Sequence, residues 1–240
     1  MSKIKEDSTL AEFIGILLGD GSIGRYESKV AGQTKTQYRV KVTGDATEDL
    51  DYFKTVVTPL TKNIFGKEPK LRFKKEERTA ELLLFGPIIF DSLIEIGLIE
   101  SPKKGRAKVP HFITDDGFQR DLLRGFFDTD GSLVFDRQHK ERHYYPRLEM
   151  KIGASPMRGQ ILEMLRNLDF GPRICQQDGG IWRVQINGKA KLERWSEEIG
   201  FNNPKHLTKR LFWQEFGYYL PGLTLQERYK CLRGNRVAHS

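Results

Sequence analysis

The chain has 240 residues, with 40 Lys and Arg against 32 Asp and Glu, a net charge of +8 and a pI near 9.4. That length admits one large domain or two small ones with a real core, and the cationic excess suits a polyanionic partner such as nucleic acid. No apolar run is long enough to span a bilayer, the opening MSKIKEDST lacks a signal-peptide core, and Cys175, Cys231 and the five histidines form neither a disulfide framework nor a zinc pattern.

The first element in chain order is residues 13–21, FIGILLGDG, a short apolar helix that ends in Asp-Gly. A strand is expected over 38–43, where Arg39, Lys41 and Thr43 alternate with Tyr38, Val40 and Val42. A helix follows from about Thr47, with Leu50, Phe53, Val57 and Leu60 at helical spacing. Lys70, Arg72 and Lys74 then alternate with Leu71 and Phe73, and a further strand covers 81–85. A helix closes this half at Ile96-Gly97-Leu98, before Pro102-Lys103. Residues 101–115, rich in Lys, Arg and Pro, read as a connector.

The order then repeats. Residues 123–131, LRGFFDTDG, match the first helix, and 147–152 match the first strand with Arg147, Glu149 and Lys151 on one face. Ser155-Pro156 opens a helix through Ile161, Leu162, Leu165 and Leu168. Residues 173–176 and 182–187 follow, the latter with Arg183, Gln185 and Asn187 sharing a face, and Ile199-Gly200-Phe201 leads to Pro204-Lys205. Two amphipathic stretches, 206–216 and 223–233, have no counterpart and are expected to pack on the second half.

The repeat carries the argument. Asp20 and Asp130 lie 110 residues apart, as do Lys41 and Lys151. One apolar helix stopped by glycine is ordinary core, but packing alone does not require the same terminal acid twice. Gly15 with Gly19, and Gly125 with Thr129, leave each helix a face without bulk. Packing those faces together would bring Asp20 and Asp130 to one end of the pair. A carboxylate at the negative pole of a helix dipole is unfavourable alone, so the pair points to a bound cation. Any one basic strand face is ordinary solvated sheet; four of them flanking a carboxylate pair favour a duplex-binding surface.

FIGILLGDG and LRGFFDTDG resemble the two motifs of a single-chain LAGLIDADG homing endonuclease of the archaeal intron-encoded type, with the last Asp of each motif at Asp20 and Asp130. The resemblance covers about residues 10–207. It implies an α+β fold of two pseudo-symmetric αββαββα halves, residues 1–110 and 111–240, whose antiparallel sheets form a DNA-binding saddle. It further implies a monomeric, site-specific double-strand endonuclease, cytoplasmic and nucleoid-associated, whose long pseudo-palindromic target is read by the sheets. Those readers are Arg25, Arg39, Lys41, Arg72, Lys74, Arg147, Lys151, Arg183, Gln185 and Asn187. Mg²⁺ or another divalent cation would be held by Asp20, Asp130 and the carbonyls of Gly19 and Thr129. The repeat nominates Lys103 and Lys205 as cations near the scissile phosphate, with Lys104 equal by register. The family's earlier motif Asp is present as Asp128 but replaced by Leu18. The alternatives are an RNA maturase, with intron RNA as partner, and a DNA-binding regulator that does not cleave.

Overall fold

The computed structural model of the protein describes residues 4–30, 32–74 and 77–238. Helix α1 (Ser8–Leu18) starts at Asp7, whose carboxylate accepts from the Leu10 amide at 3.0 Å and satisfies one orphan donor of the first turn. It is buried on all sides from Leu10 to Leu18, as expected of a helix apolar all round. Strands β1 (Gly21–Val30) and β2 (Gln33–Asp45) follow as an antiparallel hairpin. A three-part helix comes next: α2 (Leu50–Tyr52), a π-helical turn over Phe53–Val57, and α3 (Thr58–Phe65). Strands β3 (Lys70–Phe73) and β4 (Thr79–Phe85) and helix α4 (Pro87–Glu95) complete the first half.

The second half repeats this order with α5 (Asp116–Asp130), β5 (Gly131–Asp136), β6 (Tyr145–Gly153), α6 (Pro156–Asn167), β7 (Arg173–Gln176), β8 (Ile181–Asn187) and α7 (Lys189–Glu198). The two four-stranded antiparallel sheets have matching orders, β1-β2-β4-β3 and β5-β6-β8-β7. Their dry faces carry Val40, Val42, Leu82 and Leu84 in one and Leu148, Met150, Val184 and Ile186 in the other, all buried. The period-two alternation of the sequence is thus the alternation of the core.

Helices α1 and α5 join the halves. A Cβ added to Gly15 would fall 2.1 Å from the Leu122 carbonyl oxygen, and one added to Gly125 would fall 2.1 Å from that of Glu12. The two backbones therefore touch where both sequences have glycine. Around this seam the buried Glu12 carboxylate accepts from Arg124 at 2.7 Å and from the Asn202 side chain at 2.6 Å.

Helices α8 (Pro204–Phe216) and α9 (Leu225–Ala238) differ from expectation. They pack on the second half, and they also grip the first. The buried Arg228 guanidinium donates to Glu48 at 2.6 Å, and the Leu225 amide donates to the same carboxylate at 2.7 Å. The sequence shows no such link because the partners lie 180 residues apart.

Candidate active site and nucleic-acid face

The α1–α5 seam ends at the two motif carboxylates. α1 stops at Leu18 with Gly19 as its cap, and Asp20 immediately precedes β1. Asp130 is the last residue of α5. The ends are in contact: a Cβ on Gly19 would lie 2.1 Å from the Thr129 hydroxyl oxygen and 3.5 Å from Asp130 Cβ. Burial, followed by the charges of Asp130 and Asp49, pushes the Asp20 carboxyl up to about 6. Burial also raises Asp130, against the pull of Lys103 and Lys205. Two acids held together, both shifted upward, mark a place where positive charge is in deficit.

The donor set fits a hard divalent cation: two carboxylates and nearby backbone carbonyls, all oxygen. Among the described residues no group of three or more His, Cys, Asp or Glu is arranged to hold a metal ion by itself. Such a site leaves coordination positions for water and phosphate oxygens, as Mg²⁺ usually does.

The two repeat-related lysines sit differently. Lys103 Nζ donates to the carbonyls of Leu17 at 2.8 Å and Leu18 at 2.6 Å, and also to that of Gly19. It thus caps the C-terminus of α1, where orphan carbonyls and the dipole attract a cation. Burial lowers its pKa to about 8 despite the opposing pull of Asp130 and Asp20. Lys205 instead pairs with Asp49 at 2.9 Å, and Asn203 donates to the same carboxylate oxygen at 2.9 Å. Lys104 is exposed and lines a cleft of about 150 Å³ beside Asp130, with Lys151, Gly153 and Ala154.

Asp49 is a site residue that sequence reasoning missed. It lies in an acidic run, Asp45, Glu48, Asp49 and Asp51, that reads as an ordinary helix start. The only available signal was its mismatch with the repeat, which places Gly159 at the matching position.

Asp128 is fully buried, and its carboxylate accepts from the amides of Asn202 at 2.8 Å and Asn203 at 3.0 Å, just ahead of α8. In the first half Leu18 cannot accept such bonds. There the Ser101 amide donates to the Ile23 carbonyl at 2.8 Å, so the departure from the repeat leaves this donor satisfied.

The sheet faces opposite the core gather most of the polar residues expected to read DNA. The strand register puts Arg39, Lys41 and Arg72 on one face of the first sheet, and Arg147, Lys151, Arg183, Gln185 and Asn187 on one face of the second. Arg39 stacks over the Tyr26 ring at 4.0 Å. Glu81 lies between Lys41 at 3.2 Å and Arg72. Glu149 pairs with Arg147 and Arg183, each at 3.2 Å, and accepts from Gln185 at 3.1 Å. Lys74 follows β3 and pairs with Glu77 at 3.0 Å.

Arg25 is not on this surface. It is paired in register with Tyr38, so its side chain lies on the helix-covered side, over the Phe90 ring and in an ion pair with Glu100 at 3.1 Å. Side chains alternate along a strand, and counting from Ser22 opposite Lys41 puts residue 25 on the other side.

Comparison with known proteins agrees with this geometry. Residues 117–200 match the family model of the LAGLIDADG-like domain. No curated protein sequence matches the chain. Among solved structures, I-DmoI in complex with DNA and Mn superposes with a TM-score of 0.54 at 18% identity, covering 80% of this chain and 96% of that one. The meganuclease I-SmaMI bound to uncleaveable DNA superposes with a TM-score of 0.58 at 12% identity, covering 93% and 97%. A mutant of I-SmaMI gives a TM-score of 0.60 at 12% identity, covering 90% and 91%. This chain therefore has the fold of I-DmoI and I-SmaMI, with a match to the LAGLIDADG-like domain over residues 117–200 and the same order of elements repeated in its first half.

Proposed function

We propose that the protein is a divalent-metal-dependent endonuclease that binds a long, nearly symmetric DNA site as a monomer and cuts both strands. The observation that carries this reading is the pair of carboxylates Asp20 and Asp130, both held above their ordinary range, at the meeting point of two repeat-related halves that each carry a basic sheet face. Of the structural neighbours named above, I-DmoI was solved in complex with DNA and Mn and I-SmaMI bound to uncleaveable DNA.

In this reading the duplex lies across Arg39, Lys41 and Arg72 on one side and Arg147, Lys151 and Arg183 on the other. Arg and Lys suit guanine edges and phosphates, and Gln185 and Asn187 suit adenine edges. Asp20 and Asp130, with the carbonyls of Gly19 and Thr129, would hold the metal. A carbonyl oxygen has two lone pairs, so Gly19 can accept from Lys103 and still face a cation. When bound, the metal supplies an activated water and stabilises the leaving oxygen of the phosphodiester. Lys103 and Lys205 place positive charge beside the carboxylate pair, where charge on the scissile phosphate would develop.

The test is a cleavage selection from a random duplex library with Mg²⁺, and with EDTA as control. Recovery of one long site cut on both strands supports the reading. Asp20→Asn and Asp130→Asn are each expected to abolish double-strand cleavage of that site and leave binding in place; wild-type cutting by either variant would refute the assignment. Enrichment of bound but uncut duplex would make the protein a regulator. Absence of both binding and cutting would turn attention to structured intron RNA.

A further inference from the structure

A groove of about 570 Å³ runs along β5 between the end of the first sheet and the α8–α9 corner. It is lined by Lys205, Lys209, Arg78 and Arg228, with Ser132 and Thr224. Its acids are already engaged. Glu48 holds Arg228 at 2.6 Å and the Leu225 amide at 2.7 Å, and Asp136 holds Arg147 at 2.5 Å. Three of the four lining cations are engaged as well: Arg228 with Glu48, Lys205 with Asp49 at 2.9 Å, and Arg78 with Asp45 at 3.1 Å.

Lys209 is the exception. It makes no hydrogen bond or ion pair among the described residues, although it is half-buried beside Arg228 and Lys205. Burial and those two cations depress it to about 8, opposed only by Glu48. An unpaired, partly desolvated ammonium next to two like charges costs stability. No partner among the described residues recovers that cost, whereas Lys103, also half-buried, caps three carbonyls.

The position is also one-sided. Lys205 lies 102 residues after Lys103, and the same step back from Lys209 reaches Ala107, which lines the cleft beside Asp130 without an amine. Finally, the groove opens toward the proposed DNA surface. Ser132 is in register with Glu149, so it faces the same side as Arg147 and Lys151.

We propose that Lys209, with Lys205 and Arg78 beside it, forms a phosphate site in the second half alone, which takes a backbone phosphate of bound duplex close to the carboxylate pair. This rests on the duplex-binding reading above. A phosphodiester oxygen in the groove would supply the counter-charge that Lys209 lacks. Arg78 and Lys205, each held by one carboxylate, would present their remaining donors to the same anion.

The experiment measures binding of a random-sequence duplex in EDTA as a function of salt, for wild type, Lys209→Gln and Lys209→Arg. Wild type should bind; Lys209→Gln should bind several-fold more weakly, with a log–log salt slope shallower by about 0.9, the value of one released counterion. Lys209→Arg should retain both. Melting without DNA supplies the second readout: Lys209→Met, which removes an uncompensated charge, should melt about 2 °C or more above wild type. A structural role for the amine would lower the melting point instead and overturn the proposal. An unchanged slope in Lys209→Gln with normal wild-type binding overturns the phosphate site and leaves the duplex reading standing. Failure of wild type to bind duplex overturns both. Stabilisation of wild type but not Lys209→Gln by inorganic phosphate, with unchanged duplex slopes, would assign the groove to a small free anion and overturn the duplex assignment.

Discussion

Gly15 and Gly125 face each other's helices reciprocally: each is closest to a main-chain carbonyl of the opposite helix, at 2.1 Å from where its own Cβ would be. They are also repeat mates, 110 residues apart. The same small residue is thus required twice by one contact, and that contact sets how close Asp20 and Asp130 can come.

The first prediction follows from this contact. Gly15→Ala or Gly125→Ala must push α1 and α5 apart, because the obstructing atoms are main chain and cannot rotate away. Each should cost at least about 1–3 kcal/mol, seen as a lowered thermal midpoint, and should reduce cleavage more than duplex binding. Alanine at Gly153, where an added Cβ meets nothing within 4 Å, is the control. Equal melting of Gly15→Ala and wild type would mean that the helices do not pack through these glycines.

The seam, the sheets and the carboxylate pair were legible because each rests on a local pattern that occurs twice. The 110-residue register of Asp20 with Asp130 and of Lys41 with Lys151 needs no knowledge of packing. What was not legible depends on contacts between distant segments. Lys103 reaches the α1 carbonyls from 84 to 86 residues away, and Asp49 meets Lys205 across 156. The sharing of α8 and α9 between the halves belongs to the same class. Arg25 is a different case: its β1 alternation was readable, and the face follows once the strand is counted from Ser22.

The second prediction concerns the clamp between the C-terminal helices and the first half. Arg228 is 1% exposed and donates to Glu48, Thr208 at 2.9 Å and the Leu223 carbonyl. Removing one partner of a buried pair strands the other's charge, at about 3–5 kcal/mol. Arg228→Met should therefore lower the denaturant midpoint strongly, and Glu48→Leu should do likewise. The double variant should recover part of the loss, because neither charge is then left alone. Strict additivity of the two single losses would show that the pair does not couple the halves.

The third prediction is a pH dependence at His206. Its ring is buried, 5.0 Å from Phe127 and 6.1 Å from Phe201 between centroids. Burial, then the charges of Lys205, Lys209 and Arg228, hold its pKa well below 6.5, and a ring nitrogen faces the Asp128 main chain without closing a hydrogen bond. The unfolded chain binds a proton near pH 6.5 that the fold resists, so this group lowers stability as pH falls below about 6.5. His206→Phe keeps the aromatic contacts and should change stability by less than about 1.5 kcal/mol at pH 7. Between pH 7 and 5 its melting point should fall less than that of wild type. Parallel melting curves over that range would show that His206 does not titrate between the folded and unfolded states.

The last prediction concerns the charge of the sheet face. Glu81 is 1% exposed, accepting from Lys41 at 3.2 Å and from Arg72 Nε at 2.8 Å. Burial would raise this carboxyl, but the bonds from Arg72 and Lys41 outweigh it and hold the group below its usual range. It is therefore ionised at neutral pH and cancels part of the charge that Lys41 and Arg72 present to a polyanion. Glu81→Gln keeps the size and the acceptor oxygen and removes the negative charge. The salt slope for random duplex should then steepen by about 0.9, and affinity at low salt should rise. Glu149→Gln should act the same way in the second sheet, where Glu149 pairs with Arg147 and Arg183. The cost falls on specificity: without their carboxylates the arginines lose the bonds that orient them, so non-specific binding should gain more than binding to the true site. If Glu81→Gln and Glu149→Gln leave the slope unchanged, the duplex does not lie on these faces, because a charge this close to a bound phosphate backbone has to register in the counterions it releases.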